Sequence, residues 1–96
     1  MPNFIIRYHP EFFKDLERLS KSQLEAAHKK IERIKEAPEQ FKDLSGGAKC
    51  YSTRIENMRL VYYFDGTNLW FLILESRKGV YEEYVKRLYK LKTRLE

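Results

Sequence analysis

The sequence predicts an α+β fold: a small antiparallel β-sheet with an N-terminal helical hairpin packed on one face and a C-terminal helix, in the order β-α-α-β-β-β-α. Three observations predict it. A β-rich segment ends at Pro10, two stretches with helical apolar spacing follow back to back, and three closely spaced strand-like runs precede a final amphipathic stretch. With 96 residues the chain is expected to form one domain over 1–96, because a second core does not fit that length.

Phe4 to His9 is short and β-rich, and Pro10 stops it while offering a helix start, since its missing N–H is unneeded in a first turn. Phe12, Phe13, Leu16 and Leu19 then recur every three or four residues among charges, the stripe of one buried helix face. Ser20 or Ser22 caps a second helix, in which Leu24, Ala27, Ile31 and Ile34 form the stripe, and Pro38 marks its end. Residues 38–49 carry Pro38 and the pair Gly46-Gly47 with few apolar anchors, which reads as a loop. Strands follow at Cys50 to Glu56, Arg59 to Phe64 and Leu69 to Ser76, joined so tightly that they must be antiparallel neighbours. Val80, Tyr84, Val85, Leu88, Leu91 and Leu95 then lie at helical spacing among Lys86, Arg87, Lys90, Lys92 and Arg94.

Composition narrows the function. The single cysteine, Cys50, has no partner within the chain, and the start MPNFIIRYHP lacks a secretory pattern, so a reduced, cytoplasmic protein is expected. The longest apolar run, Leu69 to Leu74, is far short of the roughly 20 residues that span a bilayer. The net charge of +5 is unevenly spread: residues 1–48 hold nine Lys/Arg and eight Asp/Glu, residues 49–96 ten and six. A basic second half draws phosphate polymers, although basic surfaces also serve solubility alone.

Side-chain alternation places the arginines. With Asn57-Met58 as a two-residue turn, Ile55 opposes Leu60, Thr53 opposes Tyr62 and Tyr51 opposes Phe64, giving an apolar face. The other face collects Ser52, Arg54 and Glu56 with Arg59, Val61 and Tyr63, and sets Arg54 diagonal to Arg59, roughly 7 to 8 Å away at the backbone. Pairing Phe64 with Leu69 then puts Phe71 and Ile73 on the helix-covered face, puts Trp70, Leu72 and Leu74 on the open one, and sets Arg59 beside Leu74. So apolar an open face needs a cover, and the C-terminal helix is the local candidate. Arg54, Arg59, Arg77 and Tyr81 converge at one end of that face.

No Cys/His/Asp spacing resembles a metal site, and Gly46-Gly47 lacks the Lys-Ser/Thr of a phosphate-binding loop. Arginines around a tyrosine suit cleavage of RNA by its own 2′-hydroxyl. The substrate supplies the nucleophile, so the protein need only hold phosphate, offset the charge gained in the pentacoordinate state and move two protons. Arginine stays charged at every working pH, and a phenol among arginines has its pKa lowered toward use as a base. The plain alternative makes Arg54 and Arg59 edge charges paired with Glu56 and Glu75, with Tyr81 packing at a helix start.

The runs Leu44-Ser45-Gly46, Cys50-Tyr51-Ser52-Thr53-Arg54-Ile55, Met58-Arg59-Leu60-Val61-Tyr62 and Ser76-Arg77-Lys78-Gly79-Val80-Tyr81, with Tyr8-His9-Pro10 and Phe13-Lys14-Asp15-Leu16, resemble the RelE/ParE toxin superfamily. The resemblance spans nearly the whole chain, and the RelE branch is the nearer match. It implies a type II toxin held inactive by a cognate antitoxin, and an mRNA interferase working without metal or other cofactor in the ribosomal A site. Its partners would be mRNA, rRNA and, through the antitoxin, operator DNA. It also implies that Arg59 holds the scissile phosphate, that Arg77 serves the departing 5′-oxygen, and that Tyr81 orients or deprotonates the 2′-hydroxyl. Arg54 takes a basic position usually held by Lys. Ser52 stands where a second Lys is common, and Glu75 where some members have Arg. Lys49 or Lys78 would compensate, and Lys86 belongs to a basic helix facing RNA. A gyrase-poisoning ParE-like protein and a degenerate, non-catalytic toxin are the alternatives.

Overall fold

The structure, a computed structural model, describes residues 4–43, 49–76, 83 and 85–90. Strand β1 (Ile5–Tyr8) ends where His9 turns the chain: its Nδ1 accepts a hydrogen bond from the Glu11 N–H at 3.1 Å, and Pro10 opens helix α1 (Pro10–Glu17). Helix α2 (Lys21–Glu36) starts on a reciprocal cap in which the Ser20 hydroxyl accepts from the Gln23 N–H and the Gln23 side chain accepts from the Ser20 N–H. Ser20, not Ser22, is therefore the cap. The expected stripes are narrower than the spacing suggests, since Phe13 and Leu24 stand exposed while Phe12, Ala27, Ile31 and Ile34 are buried.

A 3-10 turn (Pro38–Gln40) and a two-residue strand β2 (Lys42–Asp43) occupy part of the segment read as loop. The Tyr62 hydroxyl donates to the Pro38 carbonyl, which ties this turn to the sheet. Strands β3 (Cys50–Ile55), β4 (Met58–Phe64) and β5 (Asn68–Glu75) form the expected antiparallel meander.

The five-stranded sheet has the order β1-β5-β4-β3-β2, with β1 parallel to β5. It is thus mixed, where a wholly antiparallel sheet was expected. The strand directions are the reason: the helical hairpin delivers the chain to β2, which runs opposite to β1, and the three antiparallel reversals from β2 to β5 bring β5 into line with β1 at the far edge. On one face of the sheet Phe12, Ile31 and Ile34 pack on Leu60, Tyr62, Phe71 and Leu74. On the opposite face Cys50, Val61, Leu72 and Ile73 form a second cluster, against which Leu88 packs. The C-terminal helix, helical at residues 83 and 85–90, is therefore a cover for the open face, as its apolar spacing implied. No helix among the described residues is long and apolar enough to cross a membrane.

Two registers differ from the expected ones. Ile55 pairs with Met58, so the turn is Glu56-Asn57. This moves the pairing by two residues and leaves every side chain on its expected face, because the pleat repeats every two. In the second hairpin Phe64 does pair with Leu69, but an irregularity between Val61 and Tyr62 inserts an extra residue on β5, so that Val61 pairs with Ile73 and Leu60 with Leu74. Leu74 consequently joins the helix-covered core, Ile73 the opposite cluster, and Arg59 pairs with Glu75 rather than Leu74.

Candidate functional site

Arg54 and Arg59 face each other directly across β3 and β4, not diagonally, and Glu75 continues the row on β5. Direct cross-strand neighbours have Cβ atoms about 4.5–5.5 Å apart, so two guanidinium forks emerge within reach of one phosphate. Arg54 is exposed and Arg59 half-buried. Like charges placed opposite one another cost free energy, and Glu75 beside Arg59 offsets part of that. A fourth group comes from the helix layer, where Arg18, just past the end of α1, reaches Glu75 with Nη1 to Oε1 at 3.3 Å. The end of the sheet thus holds the line Arg54, Arg59, Glu75, Arg18, with exposed Glu56 in the adjoining turn. The sequence reading missed Arg18; its position, one residue beyond a helix that runs back along the sheet, was the available signal.

Glu56 enters its turn with φ 55°, a left-handed conformation that a residue with a Cβ adopts at a cost. The strain sits two residues from Arg54 and three from Arg59, in the loop that fixes their register.

None of the other sequence candidates joins this row among the described residues. Arg77, Lys78 and Tyr81 lie outside the described residues. Lys49 is exposed at the far end of β3, where its carbonyl accepts from the Phe64 N–H, about 17 Å along the strand from Arg54 at strand rise. Ser52 lies on the Arg54 side of β3 but is only 2% exposed, and its hydroxyl lacks a hydrogen-bond partner among the described residues. As placed, it lies beneath the surface an RNA would touch. Lys86 is exposed on the C-terminal helix.

Its neighbour Arg87, expected among the solvated cations, is only 6% exposed. Arg87 Nη1 donates to Asp15 Oδ2 at 2.7 Å and to the Leu72 carbonyl at 2.6 Å, and Asp15 Oδ2 also accepts from the Leu74 N–H at 3.0 Å. Leu72 is the extra residue of the bulge, and Leu74 lies two residues further along β5. Arg87 and Asp15 therefore satisfy backbone groups on either side of Ile73 and tie α1, β5 and the C-terminal helix together. Burial opposes the charge on Arg87, yet the carboxylates of Asp15, Glu11 and Glu83 hold the guanidinium charged to still higher pH than usual. An acid on the apolar side of α1, three residues after Phe12, was the signal for this pair.

At the opposite end of the sheet, burial and a hydrogen bond to Asp65 push the Tyr63 phenol up to about 12. Burial opposes the charge on Asp65, but the N–H groups of Asn68 and Thr67 and the Tyr63 hydroxyl hold its carboxyl below the usual range. Burial and the nearby Tyr51 push Tyr62 far up. These groups stabilise turns and core; they are remote from the arginine row.

A family model described as ParE toxin of type II toxin–antitoxin system, parDE, matches residues 6–81. No curated protein sequence matches significantly. Among solved structures, the chain is similar to a double arginine-to-alanine mutant of the E. coli toxin RelE in the free state, with TM-score 0.72 and 26% identity over 88% of this chain and 97% of that one. It is also similar to that mutant in complex with an antitoxin RelB peptide, with TM-score 0.63 and 27% identity over 88% and 97% of the two chains. The intact E. coli RelBE toxin–antitoxin complex has a chain of the same fold, with TM-score 0.68 and 20% identity over 78% and 98%.

Proposed function

The chain belongs to the ParE toxin family of type II toxin–antitoxin systems, and from that premise we propose that it is an endoribonuclease toxin that cuts mRNA in the ribosomal A site and is silenced by a cognate antitoxin. One observation carries the reading: Arg54 and Arg59 stand directly opposed at the sheet end from which the chain runs on to Arg77 and Tyr81. The likeness to RelE in its free and antitoxin-peptide-bound forms supports the RNA-cleaving branch and an antitoxin partner.

In this mechanism the substrate's 2′-oxygen attacks phosphorus as its proton passes to the phenolate form of Tyr81. The bond from phosphorus to the 5′-oxygen breaks, a proton reaches that oxygen with help from Arg77, and the products are a 2′,3′-cyclic phosphate and a free 5′-hydroxyl. Arg59 and Arg54 hold the phosphate oxygens while they carry the extra negative charge, which permanently charged forks do at any working pH. Holding mRNA in line on the ribosome contributes several kcal/mol of orientation, so such a protein cuts free RNA poorly.

Induction of the wild type should arrest growth and leave A-site breaks visible by primer extension, whereas Arg59→Ala and Tyr81→Phe should grow and leave mRNA whole. Unchanged cleavage in both variants refutes the assignment. A second reading, favoured by the family model that matches, is a gyrase poison: induced cells would filament and show DNA damage with mRNA intact.

A further inference from the structure

The arginine row ends in a cation that the mechanism above leaves idle. Arg18 follows the last residue of α1, and it reaches the row from the edge of the sheet. β1 pairs with β5 only as far as Phe71. Beyond that point α1 takes the place of a strand, and its Asp15 accepts from the Leu74 N–H at 3.0 Å. Arg18, one helical turn further on, stands at the same edge beside Glu75, with Nη1 3.3 Å from Oε1. Glu75 pairs with Arg59, so its side chain sets out from the Arg59 face of the sheet.

The two partners are unequal. The Glu75 side chain is 12% exposed and that of Arg18 63%, so the carboxylate is enclosed while the cation faces water. An ion pair so exposed adds little to stability, but it holds a long, flexible side chain in one pose. Glu75 takes one of the five N–H donors of the guanidinium, and Arg18 has no other side-chain partner among the described residues. Neighbouring strands lie about 4.7–4.9 Å apart, so Arg54 on β3 and Glu75 on β5 are roughly 9–10 Å apart at the backbone, and Arg18 comes from beyond β5. A phosphate gripped by Arg54 and Arg59 therefore leaves Arg18 to a different anion. Two cationic stations with an acid between them suit a chain whose anions are spaced along it better than a single ion.

We propose that Arg18 is a second anion station of the RNA-binding surface, taking the phosphate next to the linkage held by Arg54 and Arg59, while Glu75 holds Arg18 in place and keeps the two phosphates apart. The inference rests on the RNA-cleaving reading and adds to it the path of the strand, across the sheet end from β3 toward α1.

The test uses the full chain and a fluorescent single-stranded oligonucleotide with 2′-O-methyl riboses, which keeps every phosphate and removes the nucleophile. Binding is followed by anisotropy over a range of salt concentrations. For a single strand, log affinity falls against log salt with a slope of about −0.7 per phosphate neutralised, so Arg18→Ala should make the slope shallower by about 0.7. Arg18→Lys should restore it, since a point charge also neutralises a phosphate. Arg33→Ala, which removes an exposed arginine near the other end of α2, should leave the slope where it is. A slope unchanged in Arg18→Ala overturns the station, and so does wild-type binding that ignores salt. A melting temperature that falls in Arg18→Ala while the slope holds assigns Arg18 to pinning α1 against β5, and overturns the station equally. If the wild type still cleaves mRNA in induced cells under those outcomes, the ribonuclease reading stands and only the station falls. If the wild type leaves mRNA intact, both fall, whatever the slope does.

Discussion

Asp15→Ala should cost about 3–4 kcal/mol of folding stability, more than any substitution in the arginine row. The side chain is 1% exposed and Arg87's is 7%, so the pair is hardly screened by water. Removing Asp15 leaves a buried guanidinium without its closest carboxylate and the Leu74 N–H without an acceptor. Breaking a buried pair costs about 3–5 kcal/mol, part of which is the stranded amide. Glu83 at 3.4 Å and Glu11 at 3.6 Å remain beside Arg87 and hold the loss to the lower part of that range. Arg87→Met should cost a similar amount, since it strands the Asp15 carboxylate and the Leu72 carbonyl together. The double variant Asp15→Leu/Arg87→Met should be at least about 2 kcal/mol more stable than the sum of the singles, because neither charge is then buried alone. It should still fall short of the wild type, as the Leu72 carbonyl and the Leu74 N–H lose their partners. Urea unfolding followed by circular dichroism measures all four proteins. At about 4–8 °C per kcal/mol for a domain of this size, each single variant should melt at least about 12 °C lower. A loss below about 1 kcal/mol in either single variant, or simple additivity in the double, would refute the latch.

Other expectations follow from local chemistry. Glu56→Gly should raise stability by about 0.5–1 kcal/mol, because φ 55° costs a side-chain-bearing residue about 1–2 kcal/mol and glycine's extra freedom when unfolded takes some back; an unchanged or lower urea midpoint would show that the turn is unstrained. The fold raises the Tyr63 pKa to about 12 and so favours the neutral phenol. That contribution is whole below pH 10 and lost as pH climbs toward 12; Tyr63→Phe should abolish it, as read from alkaline melting curves beside phenolate absorbance. Asp65 carries the opposite sign: its lowered pKa stabilises the fold above the ordinary carboxylate value and the gain fades as acid is added past it, so Asp65→Asn should flatten the acid limb of stability against pH.

How much of this was readable in advance depended on whether each feature left a periodic trace. The faces of the first hairpin survived a wrong turn assignment, because a shift of two residues preserves the alternation of Arg54 and Ile55, or of Arg59 and Leu60. The register did not survive. The chain places a glutamate at positive φ, where turn rules look for Gly or Asn, and keeps Met58 in the strand. The bulge on β5 was invisible for a different reason. In Leu69-Trp70-Phe71-Leu72-Ile73-Leu74 both faces are apolar, so a slip exchanges one hydrophobic side chain for another and leaves no mark in the pattern. β2 is two residues long and exists through its pairing with β3, which no local propensity announces.

The undetected bulge is also where the fold and the site meet. Without it the ladder that begins at Phe64 and Leu69 would run on to pair Arg59 with Leu74, and Glu75 would fall beyond the arginine row. With it, Glu75 lies beside Arg59 and within reach of Arg18, which tempers the cationic grip. β1 pairs with β5 only as far as Phe71, and past that point the Leu72 carbonyl and the Leu74 N–H find Arg87 and Asp15 in place of a neighbouring strand. One buried ion pair between α1 and the C-terminal helix therefore holds the stretch of β5 that leads from the bulge to Glu75. In Arg87→Met, mRNA cleavage in induced cells should fall together with stability, whereas Asp65→Asn should alter stability and leave cleavage as it is.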